Sequence, residues 1–176
     1  MKLRTKRLTL ISGDAEHLRT EMESPEKLGV LLNTAVPEGW PPGEYDRHAQ
    51  EYFYELLNTS GKELKGWLIW YIILNENEER GSTLIAAGGF YGPPNDKGEV
   101  EIGYSVVTAY QGKGFGTELA DGLIKYAFND GRVNKVVAHT SMSNVASCKV
   151  LEKLGFTYVG EGKEEGSIRF ELNKLS

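Results

Sequence analysis

The sequence predicts a mixed α/β domain built around one central, mostly antiparallel sheet. Three observations support this fold class. The 176 residues are about the length that one hydrophobic core serves. Segments that alternate at period two stand before and between segments with helical periodicity, and turns rich in glycine and proline separate them. Because the chain shows no internal repeat or linker, we expect residues 1–176 to form a single domain.

The first part of the chain predicts one strand, two helices and a loop. Residues 7–12 alternate as a strand does, and Asp14 is placed to cap a helix that runs from 15 to about 24. Prolines and glycines in residues 36–43 exclude both helix and strand, so we expect an irregular loop there. An apolar stripe over residues 45–57 predicts the second helix.

The middle of the chain predicts an antiparallel meander. Its three strand candidates are residues 67–74, 83–90 and 99–107, which are rich in apolar and β-branched side chains. The polar turn at 75–81 and the loop at 92–98 separate them.

The last part predicts helix, strand, helix and hairpin. Period 3.6 over residues 116–129 indicates an amphipathic helix, and residues 135–139 follow as a strand. A second helix runs from about 144 to 154, where Gly155 is suited to the C-terminal cap. The final pattern pairs residues 156–159 with 167–172 in a hairpin.

The composition argues against several classes of function. A net charge of -5 and a pI near 5.3 provide no general attraction for nucleic acid or anionic lipid. The longest apolar run has eight residues, whereas a membrane-spanning helix needs ~20. The N-terminus lacks the pattern of a secretory signal, so we expect a cytoplasmic protein with neither nucleic-acid nor membrane partners. One cysteine, Cys148, and the scattered His17, His48 and His139 lead us to expect no metal site.

The most informative segment is the glycine-rich turn at residues 111–116. A strand enters it and an amphipathic helix leaves it, which is the geometry of an anion site. The spacing of Gly112, Gly114 and Gly116 fits neither the P-loop nor the dinucleotide-binding fingerprint. On its own, such a turn can also be a simple connection that binds no ligand.

Two motifs together indicate a family. The first reads Gln111-Gly-Lys-Gly-Phe-Gly116, and the second runs from Asn144-Val-Ala-Ser147 to Glu152-Lys-Leu-Gly-Phe156. They resemble the coenzyme A loop and the last helix of GNAT acetyltransferases. The opening residues 3–10 and the strand at 101–104 resemble the branch that contains the ribosomal-protein serine and alanine N-acetyltransferases. The resemblance implies a GNAT-like fold, acetyl-CoA as cosubstrate, and a coenzyme A loop between the fourth predicted strand and the next helix.

The resemblance also implies a set of cofactor-binding residues. Main-chain groups of two valines at the end of the fourth predicted strand are expected to contact the pantetheine arm and the thioester, and an asparagine is expected to approach the same arm. The implied residues are Val106, Val107, Gln111, Gly112, Lys113, Gly114, Phe115, Gly116, Thr117 and Asn144. Lys113 can equally be a solvated loop lysine.

The resemblance and the chemistry of acyl transfer suggest the catalytic residues, and the irregular loop at 36–43 suggests Trp40 as an acceptor residue. Glu101 is our proposed base, provided that partial burial raises its pKa. Many relatives carry a tyrosine where this chain has Leu151, which directs attention to Ser147 as a proton donor or relay or as a small residue beside the cofactor. We assign Trp40 and Tyr104 to acceptor binding, although packing roles are also open to them. With no activated nucleophile in the sequence, direct transfer is favoured.

Several alternatives remain at this stage. A GNAT-like domain that senses acyl-CoA without turnover is one, and a nucleotide-binding domain that uses the same glycine turn is another. The acceptor can be a protein N-terminus or a small-molecule amine, and the acidic composition favours a cationic one. An edge strand in the C-terminal hairpin is compatible with either a monomer or a homodimer.

Overall fold

A computed structural model describes residues 1–75 and 81–175 and places eight strands in one sheet. The strands are β1 (Lys2–Arg4), β2 (Leu8–Ser12), β3 (Ile69–Asn75), β4 (Ser82–Phe90), β5 (Glu99–Val106), β6 (Lys135–Ser141), β7 (Thr157–Glu161) and β8 (Ser167–Asn173). Their order is β1-β2-β3-β4-β5-β6-β8-β7, and β5 and β6 form the one parallel pair in this sheet. The predicted mixed, mostly antiparallel sheet is confirmed.

Five α-helices cover the two faces of the sheet. They are α1 (Ala15–Glu23), α2 (Pro25–Leu32), α3 (Arg47–Ser60), α4 (Phe115–Asn129) and α5 (Val145–Lys153). Alternate residues of β3 point to opposite faces, so Trp70 packs with α4 and α5 while Tyr71 packs with α1, α2 and α3. The two apolar cores hold the sheet rigidly between the helical layers.

The structure adds two elements that the sequence reasoning missed. β1 pairs with β2, and α2 follows α1 without a break because Ser24 ends the first helix and caps the second. Before the meander there are therefore two strands and three helices, not one strand and two helices. The predicted turn at 75–81 falls mainly on residues 76–80, which lie outside the described residues.

One feature of the sheet prepares a binding site. β5 and β6 pair only from Glu99–Lys135 to Glu101–Val137, although β5 continues to Val106 and β6 to Ser141. Beyond this point β5 pairs with β4, and β6 pairs with β8. The two strands therefore separate and leave a gap in the middle of the sheet.

Candidate active site

The gap between β5 and β6 opens into a groove of about 470 Å³. Its walls come from the separated ends of β5 and β6, from the glycine turn before α4, and from α5. The side chains and glycines along it include Tyr104, Val106, Gln111, Gly112, Gly114, Gly116, Thr117, His139, Asn144, Ser147 and Leu151. Most of the predicted cofactor-binding residues therefore meet in one groove.

Main-chain groups of β5 face this groove. Val107 N–H donates to Ile85 O, and Tyr91 N–H donates to Glu101 O, which fixes the register between β4 and β5. In an antiparallel ladder the residues between such hydrogen-bonded pairs point their N–H groups away from the partner strand. The N–H groups of Tyr104 and Val106 therefore point toward the gap, whereas Val106 O accepts from Gln111 Nε2 at 2.9 Å.

The glycine turn presents free donors at the start of α4. Gly112 and Gly114 have φ values of 72° and 80°, and α4 begins without a side-chain cap. Among the described residues, none accepts a hydrogen bond from the N–H groups of residues 112–117. A Cβ at Gly112 would meet nothing within 4 Å, so the space in front of the turn is open. These donors and the helix dipole fit a pyrophosphate.

A polar clamp holds this turn against the N-terminal hairpin. Glu118 in the first turn of α4 accepts from Arg7 Nε at 2.6 Å and from Thr5 Oγ1 at 2.6 Å. Arg7 Nη1 donates to Lys113 O at 3.1 Å, and the guanidinium lies 4.3 Å from the centre of the Phe115 ring. The clamp connects residues 5–7 to the turn that precedes α4.

Three predicted cofactor residues do not present their side chains to the groove. The Lys113 ammonium bonds to Ala109 O at 2.9 Å and lies over the Tyr110 ring, so it does not point to the open side of the turn. Phe115 is buried in the core beside Arg7. Val107 is also buried, and its N–H and C=O are both bonded within the protein. The expectation that main-chain groups of Val107 face the cofactor is wrong, because the β4–β5 register turns them inward.

A second cavity, of about 440 Å³, lies on the α3 side of the sheet. Its apolar surface includes Tyr52, Phe53 and Tyr91, while Glu44, Asp46 and Glu164 bring carboxylates to it. It shares Glu44, Tyr91, Gly103, Tyr104 and Ser105 with the groove. The groove and the cavity therefore meet at β5 from opposite faces of the sheet.

Trp40 serves a different purpose from the one predicted. Its Nε1 donates to Glu21 Oε1 at 2.8 Å, and its ring packs against Tyr45 and Tyr71. Glu21 is 3% exposed and also accepts from Tyr45, Tyr71 and Gln50. Among the described residues Trp40 is not part of the cavity wall, so the structure contradicts its assignment to the acceptor pocket. It anchors the loop through a buried carboxylate, a contact that sequence spacing does not reveal.

Glu101 stands where β5 and β6 separate, but its environment differs from the predicted one. Its carboxylate accepts from Lys163 Nζ at 2.6 Å and from His139 Nδ1 at 2.9 Å. Partial burial raises the pKa of Glu101, but the bonds and charges of Lys163 and His139 outweigh it and hold that pKa below its usual range. The expectation of a raised pKa is wrong, because the partners come from β6 and from the β7–β8 loop.

Tyr104 and Ser147 lie on facing walls of the groove. The Tyr104 hydroxyl is buried and has no hydrogen-bond partner among the described residues. Burial raises the pKa of Tyr104, and the nearby Ser147 hydroxyl lowers it again in part. Asn144 caps α5 by accepting from Ser147 N–H at 3.1 Å, and Leu151 brings an aliphatic side chain to the same groove.

His139 is the residue that sequence reasoning missed. The sequence analysis considered it only for metal binding, and its partner Glu101 is 38 positions away along the chain. The signal that could have found it is the pairing of β5 with β6, which places residues 101 and 139 near each other on one face. Within residues 1–75 and 81–175 there is no group of three potential metal-ligating side chains. No described helix is both long and apolar enough to cross a membrane.

Comparison with known proteins agrees with this geometry. Residues 7–157 match the acetyltransferase (GNAT) domain family. The chain is 30% identical over 154 residues to the uncharacterized N-acetyltransferase YjdG of Bacillus subtilis strain 168, and the match covers 88% of each chain.

Solved structures share the fold. The ribosomal-protein-S5-alanine acetyltransferase of Vibrio fischeri superposes with a TM-score of 0.64 at 18% identity, covering 98% of this chain and 96% of that one. RimL, a ribosomal L7/L12 alpha-N-protein acetyltransferase solved in complex with coenzyme A, gives a TM-score of 0.67 at 16% identity, with 98% of each chain covered.

Proposed function

The chain belongs to the GNAT family of N-acetyltransferases, and from this premise we propose that it transfers the acetyl group of acetyl-CoA to a primary amine by direct attack. One observation carries the proposal. A groove with free N–H donors at its mouth joins, at β5, a cavity on the other face of the sheet that carries three carboxylates. A donor in the groove and an amine in the cavity would therefore meet at Gly103–Ser105.

The residues of the groove have distinct tasks in this proposal. The N–H groups of residues 112–117 would hold the pyrophosphate, and those of Tyr104 and Val106 would hold the pantetheine arm and the thioester oxygen. Bound acetyl-CoA supplies an activated acetyl group. Ser147 and Tyr104 bring hydroxyl groups to the wall of the groove, where either can donate to a departing thiolate.

The cavity supports a cationic acceptor. Glu44, Asp46 and Glu164 give it negative charge, and burial together with the carboxylates of Glu101, Glu44 and Glu164 raises the pKa of Tyr91 at the junction. An amine enters such a site as an ammonium ion and is held by charge and by aromatic faces. The acceptor can belong to a small molecule or to a protein N-terminus, and we propose that either meets the enzyme in the cytoplasm.

Calorimetric titration with acetyl-CoA tests the donor site. Gly112→Glu would place a carboxylate in the open space in front of the free N–H groups, so we expect binding to be lost. Gly81→Glu is the matched control, because Gly81 has a similar φ of 75° and a Cβ there meets nothing within 4 Å. Both variants thus carry the same charge and similar backbone strain. If the correctly folded wild type does not bind acetyl-CoA, the proposal is wrong.

The groove also keeps a second function open. Leu151 places an aliphatic side chain on the groove wall where many relatives carry a tyrosine, which is the observation that favours an acyl-CoA sensor without turnover. The discriminating assay presents acetyl-CoA with a panel of primary amines and follows thiol release. Release with any amine supports the transferase, whereas tight binding without release across the panel supports the sensor.

A further inference from the structure

His139 presents an unused basic atom in the groove, which meets the acceptor cavity at β5. Its Nδ1 lies 2.9 Å from Glu101 Oε1. An ionised carboxylate can only accept, so Nδ1 must carry the hydrogen, and in the neutral ring Nε2 is then a bare acceptor. Nε2 is buried and has no partner among the described residues, and His139 lines the groove.

Glu101 is poorly suited to take the proton itself. Both of its oxygens are engaged, Oε1 by His139 and Oε2 by Lys163 at 2.6 Å. These partners stabilise its charged form, and a stabilised carboxylate is a weak base. Its geometry instead suits it to hold the imidazole in one orientation and one tautomer.

We propose that His139 Nε2 is the base that removes a proton from the acceptor ammonium, with Glu101 and Lys163 as the groups that position it. The proposal rests on the transferase function given above and deepens it. The proton passes to Nε2, and the freed lone pair forms the bond to the acetyl carbon while the carbon–sulfur bond breaks. The sulfur leaves with the electron pair of the broken carbon–sulfur bond, and the nitrogen then gives up a second proton. Of the two protons, one reaches the thiolate and the other is released to solvent.

Charged side chains approach His139 from three elements. Glu101 faces it from β5, Arg169 is its cross-strand neighbour on β8, and Lys163 and Glu164 belong to the β7–β8 loop. Gly162 of that loop lies so close that a Cβ there would be 3.0 Å from His139 Cδ2, beside Nε2. The loop therefore packs against the edge of the imidazole ring next to Nε2. Because only the neutral imidazole accepts a proton, the rate must fall as the pH is lowered.

NMR of the imidazole nitrogens tests the tautomer without any assay of turnover. In the full-length wild type near pH 7.5 we expect Nδ1 to be protonated and Nε2 bare. His17 serves as an internal reference, since its Nδ1 lies 2.6 Å from Asp14 in the same kind of pair outside the site. A hydrogen on Nε2 at the pH of maximal rate, in either the neutral ring or the imidazolium, would overturn the proposal.

Kinetics then test the role. In His139→Gln we expect kcat to fall by about 10²- to 10⁴-fold near pH 7.5 with unchanged acetyl-CoA affinity, and the residual rate to rise with pH only as the fraction of free amine does. Glu101→Gln should lower kcat less and shift the acid limb of the pH profile, and the double variant should be no slower than His139→Gln, as expected for groups acting as a unit. His17→Gln is the control and should keep wild-type kcat.

Contrary results are distinguishable. If His139→Gln keeps at least half of the wild-type kcat while Glu101→Gln loses it, Glu101 is the base and this inference is wrong. If the wild type binds acetyl-CoA but acetylates no amine, the transferase function itself fails, and the base role fails with it. If His139→Gln loses acetyl-CoA affinity, its circular dichroism spectrum shows whether it is misfolded. Glu101→Gln, which preserves the side-chain shape, then tests the base role: a wild-type kcat and an unshifted pH profile in that variant would contradict it.

Discussion

At the scale of single residues, Glu21 joins the loop at residues 36–43 to the sheet. Its carboxylate accepts hydrogen bonds from Trp40, Tyr45, Gln50 and Tyr71, which belong to the loop and its end, to α3 and to β3. All of these donors are neutral. Burial raises the pKa of Glu21, and the four hydrogen bonds lower it only in part.

We expect Glu21→Gln to destabilise the fold by about 1–3 kcal/mol at pH 4, because the amide places two donors where the carboxyl group accepted. A carboxyl group with a raised folded pKa costs stability as the pH rises through that value. The wild type therefore loses stability toward neutral pH, whereas the variant does not. The difference between their free energies of unfolding should narrow as the pH rises.

Urea unfolding at a series of pH values measures this difference. Glu16→Gln in the same helix is the control, since Glu16 is exposed, and its effect should stay within ~0.5 kcal/mol. A difference that widens as the pH rises would show that the pKa of Glu21 is lowered in the folded protein.

At the scale of elements, the clamp of Arg7 and Glu118 predicts a link between the N-terminal hairpin and cofactor binding. Arg7→Met removes the guanidinium bonds to Glu118 Oε2 and to Lys113 O, which support the turn before α4, while the main-chain N–H of residue 7 still donates to Glu118 Oε1. With each hydrogen bond worth about 0.5–1.5 kcal/mol, we expect acetyl-CoA affinity to fall about 3- to 10-fold. Calorimetry measures the change, and Lys125→Met, which breaks an exposed pair with Asp121 on the same helix, should leave affinity unchanged.

The same clamp predicts a pH dependence of stability. Burial raises the pKa of Glu118, but bonds from Thr5 and Arg7 outweigh it and hold the pKa below its usual range. A carboxylate with a lowered folded pKa contributes stability above its unfolded pKa of ~4.3, and that contribution is lost as the pH falls through the lowered value.

Glu118→Gln should therefore lower the free energy of unfolding by about 1–2 kcal/mol at pH 7 and by much less at pH 3. Thermal or urea unfolding at the two pH values measures it. Asp121→Asn on the same helix is the matched control and should change little at either pH. An equal loss at both would mean that the charge of Glu118 is not what stabilises the clamp.

Some elements could be predicted from the sequence and others could not, for physical reasons. The strand, turn and helix from Glu99 to Asn129 were predicted because periodicity and glycine spacing are local signals. The helix α2 was missed, since Gly29 lowers helical propensity and is required only because a side chain there would collide with Thr34 O at 2.8 Å. The link of His139 to Glu101 and Lys163 was missed for a different reason, because three separate elements create it.

At the scale of the whole molecule, the pattern of elements was enough to predict the sheet, but not the groove and the cavity beside β5. The order β1-β2-β3-β4-β5-β6-β8-β7 places the parallel pair β5–β6 inside the sheet, with four strands on one side and two on the other, and the groove exists because that pair is short. Sequence spacing does not encode where two strands stop pairing. The cavity that we propose for the acceptor likewise depends on how α3 and the β7–β8 loop approach β5, so its residues were not predicted as a group.

The last prediction concerns the charge of the whole protein and of its acceptor cavity. The net charge is -5, and the cavity adds Glu44, Asp46 and Glu164 near the junction with the groove. A cationic acceptor should therefore be attracted before it binds, and salt should weaken the attraction because the Debye length falls from ~30 Å at 0.01 M to ~10 Å at 0.1 M. We expect kcat/KM for a diamine to fall more steeply with salt than that for a monoamine.

Glu44→Gln separates the attraction that the cavity carboxylates exert on the acceptor from the attraction that the net charge of the protein exerts. It should raise the KM for the diamine several-fold at low salt and flatten the salt dependence, with a smaller effect on acetyl-CoA affinity, because Glu44 also lines the groove. Glu55→Gln on α3 removes the same charge from an exposed position that is not part of the cavity wall, so its kinetics should stay close to those of the wild type. Equal effects of the two variants would assign the attraction to net charge alone. If kcat/KM for the diamine is no more sensitive to salt than kcat/KM for the monoamine, the carboxylates do not select the acceptor.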